Sequence, residues 1–411
     1  MMSWIFRILM TLVLFGVNCI SYGGDQTSVV LEMVTNGVAL MTIPCLVLLY
    51  FHFPGIYKLA AWLILIGVFL LIMEALHVYN QSVYSPFVIK RFSYCGLAIV
   101  AYCIVSKATD FSLKKIIWVI FILFFFNQVV LGKILTYALT SETRTTAAPE
   151  ALYLVLPLVY FLDIYLKRNS TRNMLAAIAT LSLIFFLLHR SVISTAVVAT
   201  LSVFFLSILG KTERIKTSNI FAAIIVFLIV IPLSMSIFAD VRFDEFYSQI
   251  SGIISPKEDN TGSWRYEQSI YYWAKILEKP LLGWRYVGYD HGEVMVEENF
   301  AEKGTYIHSQ YIDMLYNYGI AGLGLNLLII FSALYSLYRR NDKMSSEQVG
   351  LFAFIAGGLA YGISYQLPVF YWAFVGMGMY YGLNHELVFE EAVVVTEPAA
   401  STPHRYADNQ V

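Results

Sequence analysis

The sequence predicts an all-α, polytopic membrane protein of about twelve transmembrane helices, with one large outer loop that contains a surface helix. Three observations predict it. Hydrophobic residues make up 58% of the chain and charged residues 13%, against roughly 25% charged in a soluble domain. The mean hydropathy of +0.66 comes from separate apolar runs, each long enough to cross a ~30 Å hydrocarbon core as a helix of about 20 residues. Lys and Arg alternate between rich and poor loops along the chain, which a water-soluble core has no reason to impose. The net charge of −1 decides little beside that placement.

In chain order, the predicted spans are 4–20, 29–50, 57–76, 88–106, 115–137, 151–167, 174–189, 192–210 and 217–238, then 316–338, 348–364 and 367–385. Residues 1–238 thus carry helices one to nine, 239–315 the large loop, 316–388 helices ten to twelve, and 389–411 a polar, disordered cytoplasmic tail. The run Trp4–Ile20 has the length of a signal peptide, but Arg7 is its one basic residue and Asn18 spoils a lipoprotein site at Cys19. It is read as a retained first span.

Lys58, Lys107, Lys114, Lys115, Lys167, Arg168, Arg172, Lys211, Arg214, Lys216, Arg339, Arg340 and Lys343 fall in one set of alternate loops. The opposite short loops hold Lys90, Arg91, Arg144 and Arg190, close to membrane ends. The positive-inside bias makes the first set cytoplasmic, both termini inside and the large loop outside; long translocated segments escape that bias. Cys19, Cys45, Cys95 and Cys103 lie in or beside apolar runs with no CxxC or Cys/His spacing, so they read as small buried residues.

Within the large loop, Ser263 is the expected N-cap of a helix over about 264–279, which Pro280 ends. Trp264, Tyr271, Trp273, Ile276 and Leu277 make it partly apolar, as suits a helix on a bilayer surface. Trp264, Trp273 and Trp284, three of the seven tryptophans, serve there as interfacial anchors, as platforms for sugars, or as both.

His308 precedes a helix beginning near Gln310. Gly319 lies eleven residues on, about three turns and so nearly the same face. Gly319 and Gly322 would admit a neighbouring helix closely, leaving His308 at the rim of a tight helix pair. An imidazole titrates near neutrality, which makes it the best general-base candidate on the outer side. Arg265, in the first turn of the surface helix, is either a snorkelling residue or a bidentate grip on phosphate. Arg190, in LLHRSVISTAVV, has apolar runs on both sides and is costly unless it faces a cavity or an anion.

These residues carry a resemblance. His308-Ser309, nine residues, Gly319, two residues, Gly322 resembles the His-(Asn/Ser/Gln)-x9-Gly-x-x-Gly pattern of the O-antigen ligase/polymerase superfamily. GSWRYEQSIYYWAKILEKPLLGW resembles that family's loop signature, a Ser-x-Arg and a Trp ahead of Pro-Leu-x-Gly-x-Gly. His189-Arg190-Ser191 approaches its Ser-Arg-Gly motif. Ser309 departs from the commoner Asn, and Trp284-Arg285 stands where the second Gly of the loop turn is expected.

The resemblance implies an inverting glycosyltransferase of the bacterial inner membrane, with its site on the periplasmic side and with no metal or other cofactor. Its donor would be an undecaprenyl-diphosphate-linked glycan. Its acceptor would be another lipid-linked repeat for a polymerase of O-antigen, capsule or exopolysaccharide, or lipid A-core for a ligase of lipopolysaccharide biosynthesis. Polymerase is the preferred reading. Arg190 and Arg265 would hold the diphosphate, and His308 would meet the acceptor hydroxyl or the diphosphate. Trp264, Trp273, Trp284 and Arg285 complete the expected substrate-binding set. A chain-length regulator is an expected partner, and nucleic acid is not. Two other classes stay open: a flippase or transporter using Glu74, Lys133 and Asp163 near span ends, and a scaffold for assembly enzymes.

Overall fold

A computed structural model describes residues 29–79, 87–108, 111–130, 148–187, 189–213, 215–236, 260–285 and 307–383. Every regular element among them is helical. The first predicted span, Lys133, Arg144 and the C-terminal tail lie outside the described residues.

The helices are α1 Val29–Leu49, α2 Gly55–Tyr79, α3 Phe87–Ser93, α4 Gly96–Ser106, α5 Leu113–Val130, α6 Ala148–Ala151, α7 Val155–Arg168, α8 Thr171–Phe186, α9 Arg190–Ile208, α10 Thr217–Ser236, α11 Asn260–Glu278, α12 Gln310–Arg340, α13 Ser346–Ser364 and α14 Val369–Leu383. The predicted span 88–106 is two helices: the chain turns at Tyr94–Cys95, so Lys90 and Arg91 sit on the short α3. Of the other predicted spans, 115–137 runs past the described residues after Val130 and 316–338 lies within a longer helix that starts at Gln310; the rest match a helix to within a few residues.

Among the described residues, four helical stretches are long and apolar enough to cross a membrane: Gly55–His77, Ala148–Arg168, Arg190–Ile208 and Gln310–Arg340. Hydrophobicity on every side of a helix calls for burial on every side. The stretches that answer this most fully are α4, α7 and α14, whose side chains are almost all enclosed. Glycines bring them close. A side chain at Gly376 of α14 would run into the carbonyl of Ala98 on α4, and one at Gly357 of α13 would meet Thr195 and Ala199 on α9. Large apolar groups on the outer helices stay exposed, among them Leu48, Trp62, Phe69, Phe126, Leu201 and Leu228. Such a surface suits lipid, not water.

α9 and α13 run antiparallel. Lys211 bonds to Met344 and Asn341 at one end, and Thr195 faces Gly357 toward the other. The start of α9, with Arg190, therefore lies at the same end of the bundle as the end of α13. Ser309 bonds to Gly362 at that end, so His308 belongs to it too.

Candidate active site

His308 stands just before α12, with extended Ser309 as N-cap. Its neighbours are pinned to α13 and to the loop after it. Gln366 Nε2 donates to Ile307 O (2.8 Å), Leu367 N donates to Gln310 Oε1 (3.0 Å), and Ser309 Oγ donates to Gly362 O (3.3 Å). Tyr311 donates its hydroxyl to Leu359 O. The imidazole is half-buried, 6.0 Å from the Tyr365 ring. With Gln268 and Ser269 of α11, Ile312 of α12, and Ile363 and Ser364 of α13, it lines a small cleft. The backbone on either side of His308 is therefore fixed, which is what a base or a ligand-contacting group requires.

The third wall, α11, docks through a small core of its own. Tyr272 and Ile276 pack with Ile307 and Tyr316, the two tyrosine rings edge to face at 4.8 Å. Burial, with Tyr316, Tyr271 and Asp313 adding to it, raises the Tyr272 pKa well above the ordinary phenol range. Gln268, one turn before Tyr272 on the same face, is buried and reaches the cleft. The helix starts at Asn260, a turn earlier than expected, so Ser263 is an interior residue and not its N-cap. Arg265 is three residues before Gln268 on α11. The side chains of Trp264 and Arg265 lie outside the described residues.

At Gly319 the structure corrects the expectation of a tight helix pair. Its φ of 64° and ψ of −165° break α12, so the face that His308 leads into does not run three turns unbroken. The close neighbour is also not a helix. It is the turn Pro280–Trp284 after α11. Ile320 N donates to Pro280 O (2.8 Å), Ala321 N to Leu281 O (3.2 Å), and Trp284 N to Tyr316 O (2.7 Å). The break frees backbone groups of α12, and the turn satisfies them. A Cβ at Gly319 would meet the Leu281 backbone at 2.4 Å, and one at Gly283 the Asn317 and Tyr318 backbone at 2.5 Å. Gly322 closes on Tyr318 of its own helix. The two glycine motifs thus read each other, and together they lock α11 to the segment that follows His308.

The remaining expected site residues are distributed around this lock. Trp284 Nε1 donates to Lys275 O (2.9 Å), its ring stacks on Tyr316, and Lys279 Nζ lies 4.0 Å over its face. Arg285 Nε donates to Glu74 of α2, and its Nη1 to Leu282 O. Trp273 is half exposed on the far side of α11. Of the charges a transporter would use, Glu74 is thus bound to Arg285, and Asp163 is paired with Lys167.

Sequence reasoning missed one feature. Arg91 of α3 forms a buried ion pair with Asp313, which also accepts from Asn317 Nδ2 (3.1 Å). Asp313 and Asn317, one turn apart on a helix start that precedes an apolar run, were the available signal. Their partner is distant in sequence.

Residues 129–327, which contain Arg190, Arg265, His308, Gly319 and Gly322, match the family model described as O-antigen ligase. That match supports a place in the O-antigen ligase/polymerase superfamily. No curated protein matches the sequence. The matched stretch carries the N-terminus of α9, all of α11, the turn that enters the α12 break, and His308 itself.

Proposed function

We propose that the chain transfers a glycan from an undecaprenyl-diphosphate carrier to an acceptor hydroxyl at the His308 cleft, on the periplasmic side of a twelve-span inner-membrane fold. The acceptor is a second lipid-linked repeat, which makes the enzyme a polymerase. The observation that carries this reading is the cleft itself: an imidazole held by fixed backbone between α11, α12 and α13, inside the stretch that matches the family.

The chemistry follows from the residue types. The hydroxyl loses a proton as it attacks the anomeric carbon, and neutral imidazole accepts it. The C–O bond to the diphosphate breaks with inversion. The charge left on the diphosphate is stabilised by the planar guanidiniums of Arg190 and Arg265. The N-termini of α9 and α12, both at this end, add partial positive charge. Trp264, Trp284 and Arg285 are the proposed walls for sugar rings, whereas Trp273, expected among them, lies on the far side of α11; no metal is required by this route.

His308→Ala lowers transfer by about 10²–10⁴-fold in protein inserted at the normal level, and lipid-linked repeats accumulate. Unchanged product from that variant removes the catalytic role and restores the scaffold or flippase. Arg190→Lys and Arg265→Lys each lower it at least about tenfold, the worth of one charge-assisted hydrogen bond of ~1.5 kcal/mol. Near-normal rates in both Lys variants remove the clamp.

The description of the matched family favours a second reading, a ligase that moves the glycan to lipid A-core. Purified protein in vesicles with the lipid-linked repeat alone separates the two. A ladder of longer lipid-linked products identifies the polymerase, and product only after addition of lipid A-core identifies the ligase.

A further inference from the structure

α11 has two apolar faces, and only one is used within the chain's described residues. Gln268, Tyr272 and Ile276 face α12 and are buried. Tyr266, Ile270, Trp273 and Leu277, spaced four, three and four apart, form a stripe on the opposite side. Their exposures are 43, 55, 51 and 64%. The stripe continues into the turn, where Leu281 and Leu282 are 70 and 62% exposed. A water-facing helix has no reason to carry such a row.

The height of this face is set by α12. From Ile320, the first residue past the break, to Arg340, the helix is about 31 Å long at 1.5 Å per residue, the thickness of a hydrocarbon core. Arg339 and Arg340 close it at the far end, so Gly319 sits at the near boundary. Along this part Ile320, Leu328, Phe331 and Tyr335 are exposed at helical spacing, a lipid-facing row. Leu281 and Pro280 bond to Ala321 and Ile320 at the top of that row. The exposed stripe of α11 and the lipid-facing row of α12 are therefore one continuous apolar surface that bends at the membrane boundary.

We propose that α11 lies in the interfacial layer of the leaflet on the His308 side, with Ile270, Trp273, Leu277 and the Leu281–Leu282 turn inserted among the lipids. Lipid is the partner of this face. Trp and Tyr favour that layer, and helices with this geometry bind there through buried apolar area. Gln268 on the same helix lines the cleft, so this insertion holds the His308 site at headgroup height.

The test places single bimane labels on purified full-length protein, its native cysteines replaced, in phosphatidylethanolamine and phosphatidylglycerol vesicles. Ile270→Cys, Leu277→Cys and Leu282→Cys report the stripe; Lys275→Cys and Glu278→Cys, turned away from it, report the polar side. Labels on the stripe lose about half their emission when the lipids carry bromine near the headgroup, and iodide quenches them several-fold less than the controls. Equal iodide access at Leu277 and Glu278 overturns the proposal. Stripe labels shielded from both quenchers overturn it too, since a second copy or another segment of the chain then covers the face. A measurement with native cysteines guards against misfolding. Brominated-lipid quenching must be weaker in Trp273→Phe than in unmodified protein, and identical quenching counts against insertion.

Discussion

Arg91 and Asp313 come from helices far apart in the chain and are both buried. Neither charge is tolerable there alone. Asp313→Ala leaves Arg91 buried without its carboxylate, which costs about 3–5 kcal/mol, whereas replacing both members by apolar residues of similar volume is close to neutral. Thermal unfolding in detergent should therefore show Asp313→Ala far below the Arg91→Met/Asp313→Leu double variant. Equal losses would mean that the pair is not coupled. Arg285 shows a different tension. It stands where the family's turn has Gly, and its φ of 51° is the left-handed region that disfavours side chains by roughly 1–2 kcal/mol. Its bonds to Glu74 and Leu282 hold it there. Arg285→Ala and Arg285→Gly both lose those bonds, but only Gly relieves the backbone. Arg285→Gly should be the more stable of the two, by about 1 kcal/mol. An Ala variant as stable as the Gly variant would contradict this.

At the scale of elements, α12 is decisive. Its two parts do different work: the first positions His308 and the second crosses the membrane. The break between them exists because the Pro280–Trp284 turn occupies it, and that occupation tolerates no side chain. Gly319→Ala combines a positive φ with backbone contacts at 2.4 Å, and should cost at least about 2 kcal/mol and most of the transfer activity. Gly324→Ala, in the same helix with nothing within 4 Å of its Cβ, should be neutral or slightly stabilising. Similar behaviour of the two variants, in melting and in activity, would show that the turn is not locked into the break. The surface helix was legible from its aromatic content and from Pro280. Its partner was not, because Gly319-x-x-Gly322 in an apolar run reads equally as a helix-packing motif. Only the donor and acceptor pairing across the break distinguishes the two.

For the whole molecule, α12 carries the chain from the His308 end to Lys343 at the other. Topology labelling should find Ala274→Cys and Lys343→Cys on opposite sides of the membrane, Ala274 outside. Labelling from one side would overturn both the orientation and the proposed outer site. The twelve-span reading counted apolar runs. In the structure one of those runs, 88–106, is divided into α3 and α4, and α4 is enclosed by its neighbours. Hydropathy records that a segment avoids water, and protein burial satisfies that as well as lipid does.

The helical class and the places of most described helices were legible in the sequence by itself, and so were the residues proposed for the chemistry. Each depends on local properties: hydropathy over a turn-length window, Pro and Gly as stops, and the types of His308, Arg190 and Arg265. Only the tertiary structure decided that Asp313 answers Arg91, that Arg285 answers Glu74, and that the Pro280–Trp284 turn enters the break at Gly319. Those pairings unite groups 222, 211 and about 40 positions apart. Burial away from water makes an unpaired charge or backbone group costly, but it leaves the partner unspecified. The packing of the helices alone brings the partner within reach.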